Sequence, residues 1–254
     1  MSNKKRTKVN IPGIILIISA MFLGALIVIL VAGSKKKMII GNIDGDREIQ
    51  GAYPMPAELI ESDKEKYFSY MEIPDMIFNK ISGVSFTDDC PVAREDLRYM
   101  KVLYWGIDGK PHTGELIVNK LIAADVQELF YRLYSRAYSI ERVELVDNYG
   151  GNDEVSMAKN NTSCFNARKV KGTDEWSMHA YGLAIDINPL YNPYIAADGT
   201  VLPISGEKYT DRTQDFHMKI DESDSAYKIF TELGFEWGGS WTTVKDYQHF
   251  EKNV

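Results

Sequence analysis

The sequence predicts an α+β fold class: one domain with a small antiparallel sheet, flanked by helices and long loops, that follows an N-terminal transmembrane helix. Three observations lead to this prediction. Residues 11–32 carry no charged side chain. Residues 97–118 combine β-branched and aromatic residues around an Asp-Gly turn pair, as a β-hairpin does. Residues 121–137 place apolar side chains at helical spacing, so strands and helices share one domain.

The composition is that of an ordinary globular protein. The chain has 254 residues, of which 44% are hydrophobic, 29 are basic and 36 are acidic. These values exclude a disordered, collagen-like or disulfide-stapled chain. Residues 1–38 hold seven basic residues and no acid, which leaves 22 basic and 36 acidic residues in the rest. Because nucleic-acid binding requires clustered positive charge, we expect no nucleic-acid partner.

The uncharged segment at residues 11–32 predicts a membrane span. At about 1.5 Å per residue it covers roughly the 30 Å hydrocarbon core of a lipid bilayer. Basic residues on both sides favour a single-pass helix over a core helix. A cleaved signal peptide is the alternative, although Val31-Ala32-Gly33 forms only a weak cleavage site. More basic residues precede the segment than follow it, so we expect residues 1–10 to form a cytoplasmic tail and the body to be exported.

Beyond the span, residues 33–66 lack a sustained apolar period and are predicted to be a linker and lead-in. We expect the folded domain to comprise residues 67–254. Cys90 and Cys164 lie in the exported part, where a disulfide is permitted, but two buried thiols are equally compatible with the sequence.

The elements of the domain follow from periodicity and turn residues. We predict strands at Leu97–Ile107, Thr113–Val118, Ile140–Val146, Phe235–Trp237 and His249–Glu251, and helices at about 121–137 and Ser225–Leu233. Two long stretches, about 147–178 and 189–221, are rich in Asn, Gly, Asp, Ser and Pro. Loops of this length in a compact domain are usually functional or disordered, and these two flank the densest chemical motif of the chain.

That motif runs from Ser177 to Asn188. Its second half alternates as a strand, with Leu183, Ile185 and Ile187 on one face and Asp186 on the other. His179 precedes Asp186 by seven residues across a glycine turn, a spacing that lets both share a metal. A lone His and Asp pair is more often a satisfied polar contact, so the pair alone is a weak signal.

The C-terminal Asp246-Tyr247-Gln248-His249-Phe250-Glu251 supplies a third candidate ligand, His249. If His179, Asp186 and His249 converge, they form the three-ligand zinc site with an open position that hydrolytic zinc enzymes use. Such a site needs a base beside the water, and Asp246 or Glu251 can serve. His112 and His217 are isolated, so we expect them on the surface.

Together the residues resemble a known family. Ser177-x-His179-x-x-Gly182-x-Ala184-x-Asp186, followed by Trp237-Gly238-Gly239 and Asp246-x-x-His249-Phe250-Glu251, is similar to the M15 zinc peptidases, the D-alanyl-D-alanine carboxypeptidase and L-alanyl-D-glutamate peptidase group. The likeness covers about residues 95–254. Both blocks match in residue type, order and spacing, so the combination is more specific than either half.

The resemblance implies a role for each residue. Zinc would be held by His179, Asp186 and His249, with Asp246 as general base and acid. Arg168, in Ser163-x-x-Asn166-x-Arg168, would bind the substrate and stabilise the oxyanion. Glu251, Ser177 and Trp237 are assigned to ligand orientation or substrate contact. Trp176, Tyr181 and Trp241 can wall a cleft, as Trp237 can, although such aromatics are core residues about as often.

The expected function is a zinc metallopeptidase, anchored in the bilayer through residues 11–32, that hydrolyses the stem peptides of peptidoglycan. By resemblance it would be of the D-alanyl-D-alanine carboxypeptidase or the L-alanyl-D-glutamate endopeptidase type. Its catalytic domain would lie on the extracellular, cell-wall side of a bacterial membrane. The alternative is a non-catalytic zinc-containing domain for cell-wall binding or signalling. Asp246 favours the enzyme, because a binding domain needs no base beside its last ligand.

Overall fold

The structure, a computed structural model, describes residues 53–254. The fold class is α+β, but the expectation is corrected in two respects. No helix among the described residues is long and apolar enough to span a membrane: the longest, α3, has 13 residues, Ala123–Ser135. A span needs about 20 residues. The helix predicted at residues 11–32, the tail at 1–10 and the linker up to residue 52 lie outside the described part.

The second correction concerns the sheets. Instead of one small sheet, residues 53–254 contain three three-stranded sheets and one two-stranded sheet. The described residues all belong to one compact unit. The domain boundary between residues 66 and 67 stays a prediction, and Tyr53 and Leu59 pack against the hydrophobic core.

The first sheet contains the predicted hairpin. Strand β1 (Ser69–Glu72) pairs with β2 (Leu97–Trp105), and β2 pairs with β3 (Pro111–Asn119), both antiparallel. Gly109 in the turn has φ +70°, a conformation that glycine adopts without strain. Two short helices, α1 (Lys64–Tyr67) and α2 (Asp75–Ile81), flank β1 in the chain.

Helix α3 confirms the helical spacing read from the sequence. Its buried face packs against the hairpin in the main core, through the following side chains: Val126, Leu129, Phe130 and Leu133. The same core includes Met100 of β2 and Leu116 of β3. Burying each such side chain contributes about 1.5–3 kcal/mol, so the helix and the hairpin hold each other in place.

The second sheet has strand order β6, β11, β9, formed by Ala184–Asp186, His249–Glu251 and Glu236–Trp237. The predicted final strand pair is therefore confirmed, and β11 lies at its centre. The ring of Phe250 stacks on Phe230 of helix α5 (Ser225–Glu232), with ring centroids 4.0 Å apart. Both rings are fully buried in the core that α3 also joins, so the two sheets share one core.

The long stretches of the sequence contain short elements. Helix α4 (Asp153–Ala158) lies between β4 (Arg142–Val143) and β5 (Asn161–Thr162), which pair in parallel. The strand predicted at Ile140–Val146 is thus only two residues long. The third sheet joins three two-residue strands: β7 (Tyr194–Ile195), β8 (Val201–Leu202) and β10 (Lys245–Asp246). Cys90 and Cys164, for which a disulfide was left open, are free thiols.

Candidate metal centre

Two of the predicted ligands lie opposite each other on neighbouring strands. In the β6–β11 pair, Asp186 is the direct antiparallel partner of His249. Directly opposed residues of an antiparallel pair project their side chains on the same face, about 5 Å apart at Cβ. The sheet therefore brings together two side chains that are far apart in the sequence.

The third predicted ligand, His179, comes from a 3-10 helix, Met178–Tyr181, that leads into β6. The Ser177 hydroxyl accepts a bond from the His179 N–H at 3.3 Å and caps this helix. Gly182 ends it with φ +66°, and a Cβ at this position would lie 2.8 Å from the backbone nitrogen of Asn119. The glycine of the motif is thus required both by its backbone conformation and by the close approach of β3.

The three side chains converge on one point. His179 Nε2 lies 3.2 Å from Asp186 Oδ1, His249 Nδ1 lies 3.2 Å from the same oxygen, and the two nitrogens are 3.2 Å apart. All three residues are buried. Two imidazole nitrogens and a carboxylate oxygen at this spacing fit a divalent cation held by bonds of about 2 Å. The group could therefore hold a metal ion.

Each histidine is held by its other ring nitrogen. His179 Nδ1 donates to the carbonyl oxygen of Cys164 at 2.5 Å, and His249 Nε2 pairs with Glu251 Oε2 at 3.0 Å. These partners fix the tautomer, so Nε2 of His179 and Nδ1 of His249 carry the lone pairs that a metal needs. Glu251 takes the ligand-orienting position that the resemblance implied.

The ionisable side chains of the group shift one another's pKa values. Burial raises the pKa of Asp186, but the charges and hydrogen bonds of His179 and His249 outweigh it and hold that pKa well below its usual range. Burial also lowers the pKa of His249, yet its bonds to Asp186 and Glu251 raise the net value to about 10, so a metal that binds must displace the proton from Nδ1 of this ring. The carboxylate is thus ionised at neutral pH, as a metal ligand must be.

Asp246, the predicted base, is the last residue of β10. Its Oδ1 is buried and has no hydrogen-bond partner within residues 53–254. Burial raises the pKa of Asp246 to about 6, although His249 acts in the opposite direction. A carboxylate with a raised pKa and a free oxygen beside a metal group is suited to accept and return a proton.

Gly238, the first glycine of Trp237-Gly238-Gly239, lets the backbone of Asp246 lie close to this segment. A Cβ on Gly238 would lie 2.8 Å from the carbonyl oxygen of Asp246 and 3.3 Å from Cβ of His249. Only a residue without a side chain lets these backbones meet. Trp237 itself is buried, with its indole N–H donating to the Tyr247 carbonyl at 3.0 Å, so it supports the segment from the core side.

Arg168 reaches the centre from a segment bonded to β6. The backbones of Ser163 and Asp186 exchange two hydrogen bonds, at 2.9 and 3.2 Å. Burial lowers the pKa of Arg168, while the carboxylates of Asp186 and Asp246 act to raise it. The guanidinium therefore lies within electrostatic reach of both, and its Nε forms an ion pair with Asp153.

Of the aromatic residues singled out in the sequence, Trp241 contacts the group: its ring centroid lies 5.3 Å from that of His249. His217 is exposed, and His112 bonds to Asp108 at 3.0 Å in the first hairpin. Sequence reasoning missed two partners of the centre, the Cys164 carbonyl and Asp153. A carbonyl carries no residue-type signal, and Asp153 belongs to neither motif.

The arrangement combines three convergent donors that could hold a metal, an unpartnered carboxylate and a neighbouring arginine. Residues 171–252 match the M15 peptidase family model described as D-alanyl-D-alanine carboxypeptidase. This match covers about a third of the chain and supports the resemblance to M15 peptidases predicted from the sequence. The match includes both motif blocks but not Arg168. The chain matches no curated protein and no solved structure at a significant level.

Proposed function

We propose that the protein is a zinc-dependent metallopeptidase that hydrolyses the stem peptides of bacterial peptidoglycan. The match of residues 171–252 to the M15 family model supports a peptidase that acts on peptidoglycan. The single observation that carries the finer proposal is the buried group of His179, Asp186 and His249 together with the free Oδ1 of Asp246. Ligands alone would serve a binding domain equally well, whereas an adjacent unpartnered carboxylate has a use in hydrolysis.

The donor set favours zinc. Two imidazoles and one carboxylate leave an open position in a tetrahedral shell, which is the pattern of catalytic rather than structural zinc. Within residues 53–254, no cysteine belongs to the group, so it differs from the cysteine-rich structural sites. When bound, zinc would supply Lewis-acid activation of water and of the peptide carbonyl.

Asp246 would act on the proton of the attacking water. Its carboxylate takes the proton as the water adds to the peptide carbonyl and later gives it to the departing amine. Burial, which raises the pKa of Asp246, favours the protonated form that the acid step needs. Glu251 would keep the ring of His249 in its ligating orientation throughout.

Arg168 would bind the substrate and offset the negative charge that develops on the carbonyl oxygen. A fixed cation in a half-buried position is worth more in the transition state than one in water. Ser177 would act indirectly, by capping the 3-10 helix that carries His179.

Two bond specificities are open to the family. The description of the matching model names the carboxypeptidase type, whereas the Asp-x-x-His-Phe-Glu ending resembles the endopeptidase type. We propose that the substrate is reached on the cell-wall side of a bacterial membrane, where stem peptides occur.

The test is mass spectrometry of a synthetic stem pentapeptide incubated with the full chain, with zinc and with a chelator. Loss of one C-terminal alanine identifies a carboxypeptidase, and release of the N-terminal alanine identifies the endopeptidase. Asp246→Ala, with its metal content measured, is the matched inactive control. An intact peptide in the presence of a filled zinc site would overturn the proposal and favour the binding or signalling domain.

A further inference from the structure

Asp153 contacts two residues of the Ser163-x-x-Asn166-x-Arg168 motif at once. One carboxylate oxygen, Oδ2, forms the ion pair with Nε of Arg168, and the other, Oδ1, accepts a bond from Asn166 Nδ2 at 2.6 Å. Asp153 begins helix α4 and lies outside residues 171–252. The motif is therefore organised around a carboxylate that neither the motif nor the family match contains.

Hydrogen bonds hold both parts of this contact in place, the start of α4 and the segment that carries Asn166. The Asn152 side chain caps α4 by accepting from the Val155 N–H at 3.1 Å. On the other side, the Asn166 amide also donates to the carbonyl of Gly151 at 3.2 Å, so the segment of residues 166–168 is bonded to the residues just before α4.

The backbone of residues 166–168 is itself held by hydrogen bonds. The Asn166 N–H donates to the carbonyl of His179 at 3.1 Å, and the Ala167 N–H donates to that of Ser85 at 2.8 Å. The carboxylate thus joins two immobilised segments.

The ion pair is formed through Nε, one of the three guanidinium nitrogens. Because the guanidinium is planar and rigid, fixing Nε also fixes the directions of Nη1 and Nη2. We propose that Asp153 is a positioning residue that holds Arg168 with its terminal nitrogens available to the substrate. This inference rests on the substrate-binding role proposed for Arg168.

A double-mutant cycle tests the coupling. Asp153→Asn keeps the shape of the side chain and should lower kcat about tenfold to a hundredfold, since small misplacements of a positioned group cost that much. Metal content should not change. In an Arg168→Ala background, Asp153→Asn should cause no further loss. Glu154→Gln, an exposed carboxylate on the same helix turn, is the matched control and should keep the wild-type rate.

Additive effects of the two substitutions would overturn the proposal, because they would mean that Asp153 acts independently of Arg168. Asp153→Glu provides the second variant: it should recover part of the lost rate, whereas a merely structural requirement for the aspartate would leave it as impaired as Asp153→Asn.

A readout other than activity separates this inference from the proposed function. The Nε–H NMR signal of Arg168, assigned as the one lost in Arg168→Lys, should shift in Asp153→Asn but not in Glu154→Gln. An unchanged signal in Asp153→Asn would overturn the positioning role. If wild-type protein left stem peptides intact while the signal behaved as expected, the proposed function would fail and the ion pair would stand.

Discussion

His179 and His249 face each other through different ring nitrogens, Nε2 of the first and Nδ1 of the second, at 3.2 Å. The remaining nitrogen of each ring is bonded to the protein, to the Cys164 carbonyl and to the Glu251 carboxylate. A ring flip would break one of these bonds and turn a carbon toward the ion. The two rings are therefore held in the orientation that metal binding would require.

Replacing either histidine should empty the centre. We expect His179→Ala or His249→Ala to lose metal and activity together, because two ligands do not hold zinc as three do. Metal content by atomic emission and turnover on the stem pentapeptide, measured on one sample, check this. His217→Ala, an exposed histidine outside the group, should retain both. Full activity in a metal-free His179→Ala would contradict the ligand assignment.

Asp246→Ala should separate metal from turnover. The substitution removes the proposed base and leaves the three ligands, so we expect normal zinc content and a rate lower by about 10²–10⁴-fold. Near-normal turnover would refute the base assignment and make Glu251 the next candidate.

Asp246 should also make the metal-free protein less stable as the pH rises. Because burial raises its pKa from 3.8 to about 6, the folded state binds a proton that the unfolded chain releases between these values. Stability therefore falls through this window and stays lower above it, by at most about 3 kcal/mol. Asp246→Asn should remove this loss. Urea unfolding in chelator at pH 4 and 7.5 measures it, and equal pH dependence in Asp246→Asn and wild type would refute it.

Glu251→Gln should weaken metal binding without abolishing it. The substitution keeps the length of the side chain but removes the charge that holds the His249 Nε2–H. Losing such a partner typically costs 10–100-fold in metal affinity. Competition with a zinc chelator measures the change. Glu236→Gln, an exposed neighbour on β9, is the control, and equal affinities in the two variants would contradict the orienting role.

The elements with strong local patterns were predictable. The hairpin of β2 and β3 alternates around an Asp-Gly turn, and α3 has a continuous apolar face, so both were confirmed. The parallel pair of Arg142–Val143 and Asn161–Thr162 was not predictable, because strands of two residues are too short to show periodicity.

The same distinction applies to the centre. The two motif blocks indicated the residues that converge, since residue type and spacing carry that information. The partners that orient them are a backbone carbonyl and the first residue of a short helix, and both are recognisable only once the chain has folded. The helix at residues 11–32 is predicted from the apolar pattern of the sequence, and these residues lie outside the described part of the chain.

The central place of β11 determines when the candidate metal site is complete. His249 follows Asp186 by 63 positions in the chain, and its strand lies between two neighbours in the sheet. A nascent or partly folded chain in which this strand has not yet been inserted has two ligands, no neighbouring base and an open sheet. The complete group of candidate ligands therefore forms only when β11 is in place.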